Sequence, residues 1–273
     1  MANGPEDLWS RRKMKISAII IARNEEKMLE DCLRSVSWAD ERILVDTGST
    51  DKTAELAKRL GARVVETKDG DFSKWRNLGA KEATGDWLLY VDADERVTPE
   101  LRAEIVSTIN SQQSTISNYT AHAIPRRNFL LGHEMHWGGW WPDYVIRLIN
   151  KSALIQWEGK LHEQPKIKGE VGKLKNPLIH ITHRSLSEMV EKTNNWSEIE
   201  AQLLFKSHHP KMTWWRFFSV AFREFWYRGI LNLGFLDGPV GIIEIIYQMY
   251  SRMITYAKLW EMQINNKPLT INH

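Results

Sequence analysis

The first part of the chain alternates between short apolar runs and segments whose apolar residues recur at helical spacing. Residues 16–22, 43–45 and 87–91 are continuous apolar runs of strand length, and residues 62–67 form a further, more polar strand candidate. Helical periodicity fills the segments between these runs and continues over residues 98–111. Alternation of this kind predicts a parallel sheet with right-handed crossover connections.

The pattern changes after residue 111. Residues 119–131, 144–149 and 177–182 are predicted strands with polar interruptions. The loop at 132–142 is rich in Gly, Trp and His, a composition typical of binding surfaces. From residue 187 onward only helical spacing remains. The predicted fold class is therefore α/β, a mostly parallel sheet flanked by helices with a C-terminal helical appendage.

Charge and cysteine content change this picture little. The 273 residues carry 37 Lys and Arg against 34 Asp and Glu, a net charge of +3, so no basic stripe favours nucleic acid. The single cysteine, Cys32, cannot form an internal disulfide, which fits a reducing compartment, and we expect a buried structural thiol. Residues 1–13 lack the apolar core of a signal peptide and are predicted to be a flexible tail.

Candidate chemistry is concentrated at the end of the 87–91 strand. Asp92 and Asp94 follow it directly and, on an extended chain, point the same way. Paired carboxylates suit Mg²⁺ or Mn²⁺, the ions that accompany substrate phosphates. The alternative is an acidic turn that precedes a helix capped by Thr98. The metal site and the acidic turn are compatible if Glu95 stabilises the turn while Asp92 and Asp94 hold the metal.

Polar groups also follow the other predicted strands and should meet at one edge of the sheet. They are Asn24, Glu25, Asp46, Arg76, Asn77, Asp92 and Asp94. Carboxylates for ribose and metal, with an arginine for phosphate, outline a nucleoside-diphosphate site. Neither G-x-G-x-x-G nor G-x-x-x-x-G-K-[ST] occurs, so dinucleotide and ATP phosphate loops are unsupported.

Four motifs resemble the family 2 glycosyltransferases of the GT-A fold. They are residues 19–25 (IIIARNE), 45–53 (VDTGSTDKT), 76–77 (RN) and 91–95 (VDADE). The sequences of the motifs at 76–77 and 91–95 most resemble the lipopolysaccharide-core β-glucosyltransferase branch. Residues 234–241 (GFLDGPVG), which precede an aromatic helix, are similar to that branch too.

The resemblance implies roles for individual residues. Donor binding would fall to Ala22, Asn24, Glu25, Asp46, Arg76 and Asp92. Asp94 would be the direct metal ligand, with Asp92 beside it. His180 is a further metal candidate, although a histidine on a strand is more often structural. Many family members carry a second acidic residue directly after the aspartate that corresponds to Asp46. This chain has Thr47 at that position.

Transfer also requires a base that removes the acceptor hydroxyl proton. Glu163, in residues 157–163 (WEGKLHE), is the predicted base, with His162 orienting it or contacting substrate. Glu158 and Asp143 compete for this role. The alternative is a surface turn with an ordinary glutamate.

The implied activity is inverting transfer of a hexose from a nucleotide sugar, UDP-linked by expectation, to a saccharide or lipid-linked acceptor of the cell envelope or lipopolysaccharide core. Mg²⁺ or Mn²⁺ would be the cofactor. Residues 14–97 would bind the donor, 98–185 the acceptor, and 186–273 would form the helical region. A sugar-phosphate nucleotidyltransferase is an alternative, but the chain lacks its glycine-rich basic loop after the first strand. A non-catalytic carbohydrate-binding protein would explain the tryptophans and leave the acids unexplained.

The C-terminal helices suggest a membrane surface. Residues 214–228 mix large aromatic side chains with three arginines, a composition suited to the lipid headgroup boundary. A further apolar stripe consists of Ile242, Ile246, Met249, Met253, Tyr256 and Trp260. A helical lid packed on the α/β domain is the alternative. We expect peripheral association with the cytoplasmic face of the inner membrane.

Overall fold

The structure is a computed structural model that describes residues 14–111, 119–159 and 163–265. The predicted tail at 1–13 lies outside these ranges. The chain divides into two units. The first comprises residues 1–125 and 144–178, and the second comprises residues 126–143 and 179–273. The functional segments predicted from the sequence divide the chain elsewhere and stay predictions.

The order of elements begins with the predicted alternation of strands and helices. The strands are β1 (Ile16–Ala22), β2 (Glu41–Asp46), β3 (Arg63–Glu66), β4 (Trp87–Asp92), β5 (Glu95–Val97), β6 (Tyr119–Leu130), β7 (His133–Glu134), β8 (Asp143–Asn150), β9 (Leu154–Glu158), β10 (Gln164–Ile167), β11 (Glu170–Lys173) and β12 (Leu178–Thr182). The helices are α1 (Glu26–Ser35), α2 (Thr53–Arg59), α3 (Phe72–Glu82), α4 (Pro99–Ser111), α5 (Leu186–Lys206), α6 (Trp214–Glu224) and α7 (Gly238–Asn265). Between α6 and α7 lie the π-helical segment Phe225–Leu231 and the 3-10 turn Gly234–Asp237.

In the first unit the sheet runs in the order β3-β2-β1-β4-β8-β6. Strands β1 to β4 pair in parallel, and β8 joins β4 in antiparallel fashion. The register sets Ala22 beside Asp46 and Ile21 beside Asp92. The carboxyl ends of β1, β2 and β4 therefore meet along one edge, called the carboxyl edge below. The predicted α/β fold, a mostly parallel sheet flanked by helices with a helical C-terminal region, is confirmed.

Both faces of this sheet are covered, which explains the continuous apolar runs. Ile20 of β1 packs with α1, α2 and α4 on one face, and Ile19 packs with α3 on the other. Helix α3 approaches β1 closely at Gly79, where an added Cβ would collide with Ile19. Cys32 is fully buried in the first cluster, as predicted, and burial raises the pKa of its thiol.

Four strands of the first unit were not predicted. They are β5, β9, β10 and β11, of three to five residues each. Three of them are largely polar, so neither alternation nor an apolar run marks them. Strands β9 and β10 pair as an antiparallel two-stranded sheet that flanks Glu163 on the chain.

The second unit is helical from α5 onward over its described residues, as predicted. Helix α7 packs against α5 and α6. The loop between β7 and β8 is held by Asp237, whose carboxylate accepts hydrogen bonds from the backbone N–H groups of His136 (3.1 Å) and Trp137 (2.8 Å).

Among the described residues no single helix is long and apolar enough to cross a bilayer. The stretches Trp214–Leu231 and Gly234–Asn265 meet that measure only as a pair, and the pair is bent by 72°.

Glu244 of α7 couples the stability of the second unit to pH. Its side chain is 2% exposed, and burial raises its pKa to about 7, although the Gln248 hydrogen bond and the Arg228 charge act in the opposite direction. The unfolded chain would release this proton at about pH 4.3. The resulting stabilisation is therefore fully present below about pH 4.3 and is lost as the pH rises through about 7, a change of ~3 kcal/mol.

We expect Glu244→Gln to remove this dependence. In thermal unfolding, the melting temperature of the variant minus that of the wild type should increase as the pH rises from about 5 to about 8. Glu191→Gln on the exposed side of α5 is the matched control, for which the difference from wild type should not change with pH. A difference for Glu244→Gln that is constant over this range would contradict the prediction.

Candidate functional site

The loop after β1 is fastened to the loop after β2. Asn24 has a φ of 56°, a left-handed conformation that asparagine tolerates. Its backbone N–H donates to Ser49 Oγ (3.0 Å), and its Oδ1 accepts from the backbone N–H of Thr50 (2.7 Å). The N–H of Glu25 donates to Thr53 Oγ1 (2.9 Å). These bonds fix the backbone on which Ala22, Asn24 and Glu25 are predicted to meet the donor.

Asp46 builds the second loop. Its Oδ1 accepts hydrogen bonds from the N–H groups of Gly48 (3.1 Å) and Ser49 (2.8 Å), and the residue is 4% exposed. Thr47 is also buried, and its N–H donates to the carbonyl of Ala22 (3.1 Å). The structure thus brings Asp46 to the carboxyl edge beside Ala22. Its contact with a nucleotide base stays a prediction.

Arg76 of α3 is buried between two carboxylates. Its Nε donates to Glu163 Oε1 (2.9 Å) and its Nη2 donates to Asp92 Oδ1 (3.0 Å). The guanidinium carbon lies 4.9 Å from the centre of the Trp157 ring and 5.6 Å from that of Tyr90. Aromatic faces and opposite charges together hold the arginine in one place. Residues far apart in sequence, at 76, 92 and 163, therefore meet at one point.

A second arginine completes the environment of Asp92. Arg147 of β8 donates from Nη2 to Asp92 Oδ2 and to Glu95 Oε1 (2.6 Å). Glu95 is fully buried, and its other oxygen accepts the backbone N–H of Asp92 (3.0 Å). Burial lowers the pKa of Arg147, but the charges of Asp92 and Glu95 more than offset this and the pKa is raised. Arg76 and Arg147 on the Asp92 carboxylate are called the arginine clamp below.

The clamp was not predicted from the sequence. Arg147 is the one charged residue within the apolar run 144–149, and a lone charge in a buried strand requires a partner. That signal was present, but the identity of the partner depends on the pairing of β8 with β4. The prediction that Glu95 serves the turn is confirmed by its bond to the Asp92 backbone.

Asp94 lies in the turn between β4 and β5 and is partly exposed. Strand β4 ends at Asp92, so the chain is not extended from Asp92 to Asp94, and the expectation that they align as on a strand is wrong. Arg96 holds the turn through bonds to the carbonyls of Ala93 and Glu95 (both 2.8 Å). Glu95 stabilises the same turn by accepting a hydrogen bond from the Asp92 backbone (3.0 Å).

The residues of this turn fit a divalent ion that brings its own phosphate ligands. Within residues 14–111, 119–159 and 163–265 no group of three His, Cys, Asp or Glu could hold a metal by itself. Mg²⁺ and Mn²⁺ need only one or two protein carboxylates when substrate phosphates and water supply the rest. Asp94 is partly exposed and the Asp92 side chain is 29% exposed, so both carboxylates are accessible at the turn.

Glu163 is the predicted base that the structure joins to the carboxyl edge. Its side chain is 15% exposed and it contacts Arg76. Glu158 is more than half exposed and accepts a hydrogen bond from Gln156 (2.7 Å). Since Trp157 faces Arg76, the next residue on strand β9 points to the opposite face. His162 lies outside the described residues.

Two other candidates belong to the second unit. His180 Nδ1 lies 2.6 Å from Asn128 Oδ1. Asn128 Nδ2 in turn donates to Asp143 (3.1 Å), which also accepts from Arg126 Nε (2.9 Å). Both residues thus belong to one polar chain within that unit. The metal role of His180 and the base role of Asp143 stay predictions.

Known proteins are similar to this chain over most of its length. An uncharacterized glycosyltransferase of Rickettsia bellii is 29% identical over 94% of this chain and 90% of its own. The lipopolysaccharide core biosynthesis glycosyltransferase LpsC of Rhizobium meliloti is 26% identical over 91% of this chain and 93% of its own.

One solved structure and one family model complete the comparison. The structure is glucosyl-3-phosphoglycerate synthase from Mycobacterium tuberculosis in complex with Mn²⁺, UDP and glucosyl-3-phosphoglycerate. It is 25% identical with a TM-score of 0.37, over 42% of this chain and 44% of that chain. The model of glycosyl transferase family 2 matches residues 17–163, more than half of the chain and the whole stretch from β1 to the candidate base. The chain therefore belongs to glycosyl transferase family 2.

Proposed function

We propose that the chain transfers a hexose, with inversion, from a UDP-sugar to a saccharide or lipid-linked acceptor of the cell envelope. The observation that carries the proposal is the position of Arg76, which contacts both Asp92 and Glu163. One buried side chain thus joins the proposed donor carboxylate to the proposed base. Family membership supports the transferase over the sugar-phosphate nucleotidyltransferase.

The arginine clamp would prepare the donor side of the reaction. Arg76 and Arg147 hold the Asp92 carboxylate in one orientation, from which it would meet the ribose and the ion. Asp94, with Asp92, would hold Mg²⁺ or Mn²⁺ at the turn. When bound, such an ion supplies positive charge to the departing diphosphate. The fixed loops around Asn24 and Asp46 would receive the nucleoside part, where a rigid backbone reduces the entropy lost on binding.

Glu163 would serve the acceptor side. Its carboxylate takes the proton of the acceptor hydroxyl as the oxygen forms a bond to the anomeric carbon. The bond from that carbon to the diphosphate breaks on the opposite face, so the configuration inverts and the electron pair leaves with the nucleoside diphosphate. Arg76 would position Glu163 for this step through its Nε bond.

The relatives and the helical region support a proposal for the acceptor and the place of action. LpsC acts in lipopolysaccharide core biosynthesis, which supports a core saccharide attached to lipid as the acceptor. Such an acceptor is presented at the cytoplasmic face of the inner membrane, where we place this chain as a peripheral protein. A screen of nucleotide sugars for turnover, with and without Mn²⁺, tests the activity. Absence of turnover with every nucleotide sugar and acceptor would reject it.

We expect Asp94→Ala to lower donor turnover by about a hundredfold or more, because the ion contributes several kcal/mol to transition-state stabilisation. The measurement is release of the nucleoside diphosphate during Mn²⁺ titration. Asp31→Ala, which removes an exposed carboxylate from α1, is the matched control and should match the wild type. Wild-type metal response in Asp94→Ala would remove Asp94 from this role.

The variant Glu163→Gln should lose transfer by about 10²–10⁴-fold, the usual contribution of a general base. The amide oxygen of Gln can still accept the Arg76 bond, so donor binding measured by calorimetry should persist. Glu158→Gln changes the neighbouring exposed glutamate in the same way and should retain transfer. If Glu163→Gln turned over normally and Glu158→Gln did not, the assignment of the base would be reversed.

Replacing Arg147 with Met should lower the free energy of unfolding by about 3–5 kcal/mol, because the fully buried Glu95 would lose its charged partner and Asp92 would keep only Arg76. Denaturant unfolding measures this. Arg59→Met on the exposed end of α2 is the control and should change stability little. Unchanged stability of Arg147→Met would mean that Asp92 and Glu95 do not depend on the clamp.

A further inference from the structure

Helix α7 buries Glu244 and Thr255 beside the apolar Ile245 and Leu259, and it leaves large apolar side chains on the outer face, which is polar in a helix on a water-soluble surface. Inside, Glu244 and Thr255 are 2% and 1% exposed, and Thr255 Oγ1 donates to Glu200 Oε2 of α5 (3.2 Å). Arg252 is paired with the same glutamate. Outside, the exposed large apolar residues are Ile242, Ile246, Tyr250, Met253, Trp260 and Ile264. Ile246 is 60% exposed, so the predicted apolar stripe largely faces away from the unit.

Helix α6 continues this arrangement. Trp214, Phe218 and Phe222 recur every four residues and are 77%, 66% and 61% exposed, whereas Val220 and Ala221 are buried. Neighbouring rings touch along the stripe. Trp214 and Phe218 lie 6.2 Å apart edge to face, and Phe222 stacks on Trp226 at 6.0 Å. We call these exposed side chains of α6, the π-helical segment and α7 the apolar outer face.

An apolar outer face of this extent indicates a covering partner. Exposed apolar patches on water-soluble monomers are small, and large ones mark protein or membrane contacts. Each Trp or Phe side chain removed from water stabilises the docked state in proportion to the apolar area that it buries. The inner face of α7 is already occupied by α5 and α6, so the partner must come from outside the unit.

The charges near the apolar outer face distinguish two possible partners, a second copy of this chain and a lipid surface. Residues 206–237 carry five basic side chains, Lys206, Lys211, Arg216, Arg223 and Arg228, of which Arg228 is 22% exposed and paired with Glu224. They carry two acidic ones, Glu224 and Asp237, whose side chains are only 15% and 2% exposed. A second copy related by two-fold symmetry would present the same positive patch to itself. An anionic lipid surface accepts both the rings and the cations.

We propose that the apolar outer face docks on an anionic phospholipid bilayer, with the aromatic rings in the headgroup boundary and the basic side chains on the phosphates. The inference deepens the proposed function, since it rests on that function for the statement that a lipid-linked acceptor is met at this surface. The docking itself requires no nucleotide sugar.

The test is co-sedimentation of the full chain with vesicles of equal parts phosphatidylcholine and phosphatidylglycerol. We expect the wild type to pellet with these vesicles, and much less with phosphatidylcholine alone. Added salt should weaken the binding by screening the cations. The triple variant Trp214→Ser, Phe218→Ser, Phe222→Ser should bind at least about tenfold more weakly. A matched variant in the first unit, Ile155→Ser with Val171→Ser, also removes exposed apolar side chains and should bind as the wild type does.

Three results would overturn the docking proposal. They are failure of the wild type to bind anionic vesicles, equal binding by the triple variant, and a wild-type dimer that the triple variant converts to monomer without any vesicle binding. Turnover of a nucleotide sugar in solution is measured on the same preparations. Turnover without vesicle binding rejects the docking surface alone. Vesicle binding without turnover supports the docking surface and rejects the proposed activity.

Discussion

The buried charges around Asp92 are the constraint on which the first unit depends. Burying an ion costs several kcal/mol unless partners with good geometry replace its water. Asp92, Glu95 and Glu163 are satisfied by Arg76 and Arg147, and the bonds link α3, β4, β5, β8 and the segment before β10. Loss of one member leaves another charged and buried. The network therefore requires each of these elements in its place, and in turn fixes the carboxylates at the carboxyl edge.

Much of the fold could be predicted because burial on both faces leaves a clear mark in sequence. The run 16–22 has the bounds of β1, since every residue in that strand is buried. Strands β9 and β10 left no mark, because a short hairpin with alternate residues exposed resembles a polar loop. In α7 the spacing predicted a helix. Periodicity does not reveal which face is inward, and here buried Glu244 lies inside while Ile246 lies outside.

The candidate site divides in the same way. Arg76, Asp92 and Glu163 could be selected one by one, because each stands in a motif with a chemical reason for its residue type. The hydrogen bonds that join these three residues could not be predicted from the sequence, because they depend on how α3 and β9 pack together. That contact is made partly by Asn77, whose side chain exchanges two hydrogen bonds with the backbone of Trp157 (2.8 and 3.0 Å). Arg147 was missed because its partner is set by strand pairing alone.

The charges at the carboxyl edge bear on the need for a cation. Arg76, Arg96 and Arg147 supply three positive charges, against the four carboxylates of Asp92, Asp94, Glu95 and Glu163. The guanidiniums are already committed to these carboxylates and to backbone carbonyls. A diphosphate would therefore approach a cluster around Asp92 that is net negative and whose guanidiniums are already engaged. The carboxylates would repel the diphosphate. Positive charge that arrives with the donor would offset this repulsion, which is the physical argument for the proposed divalent ion beside Asp94.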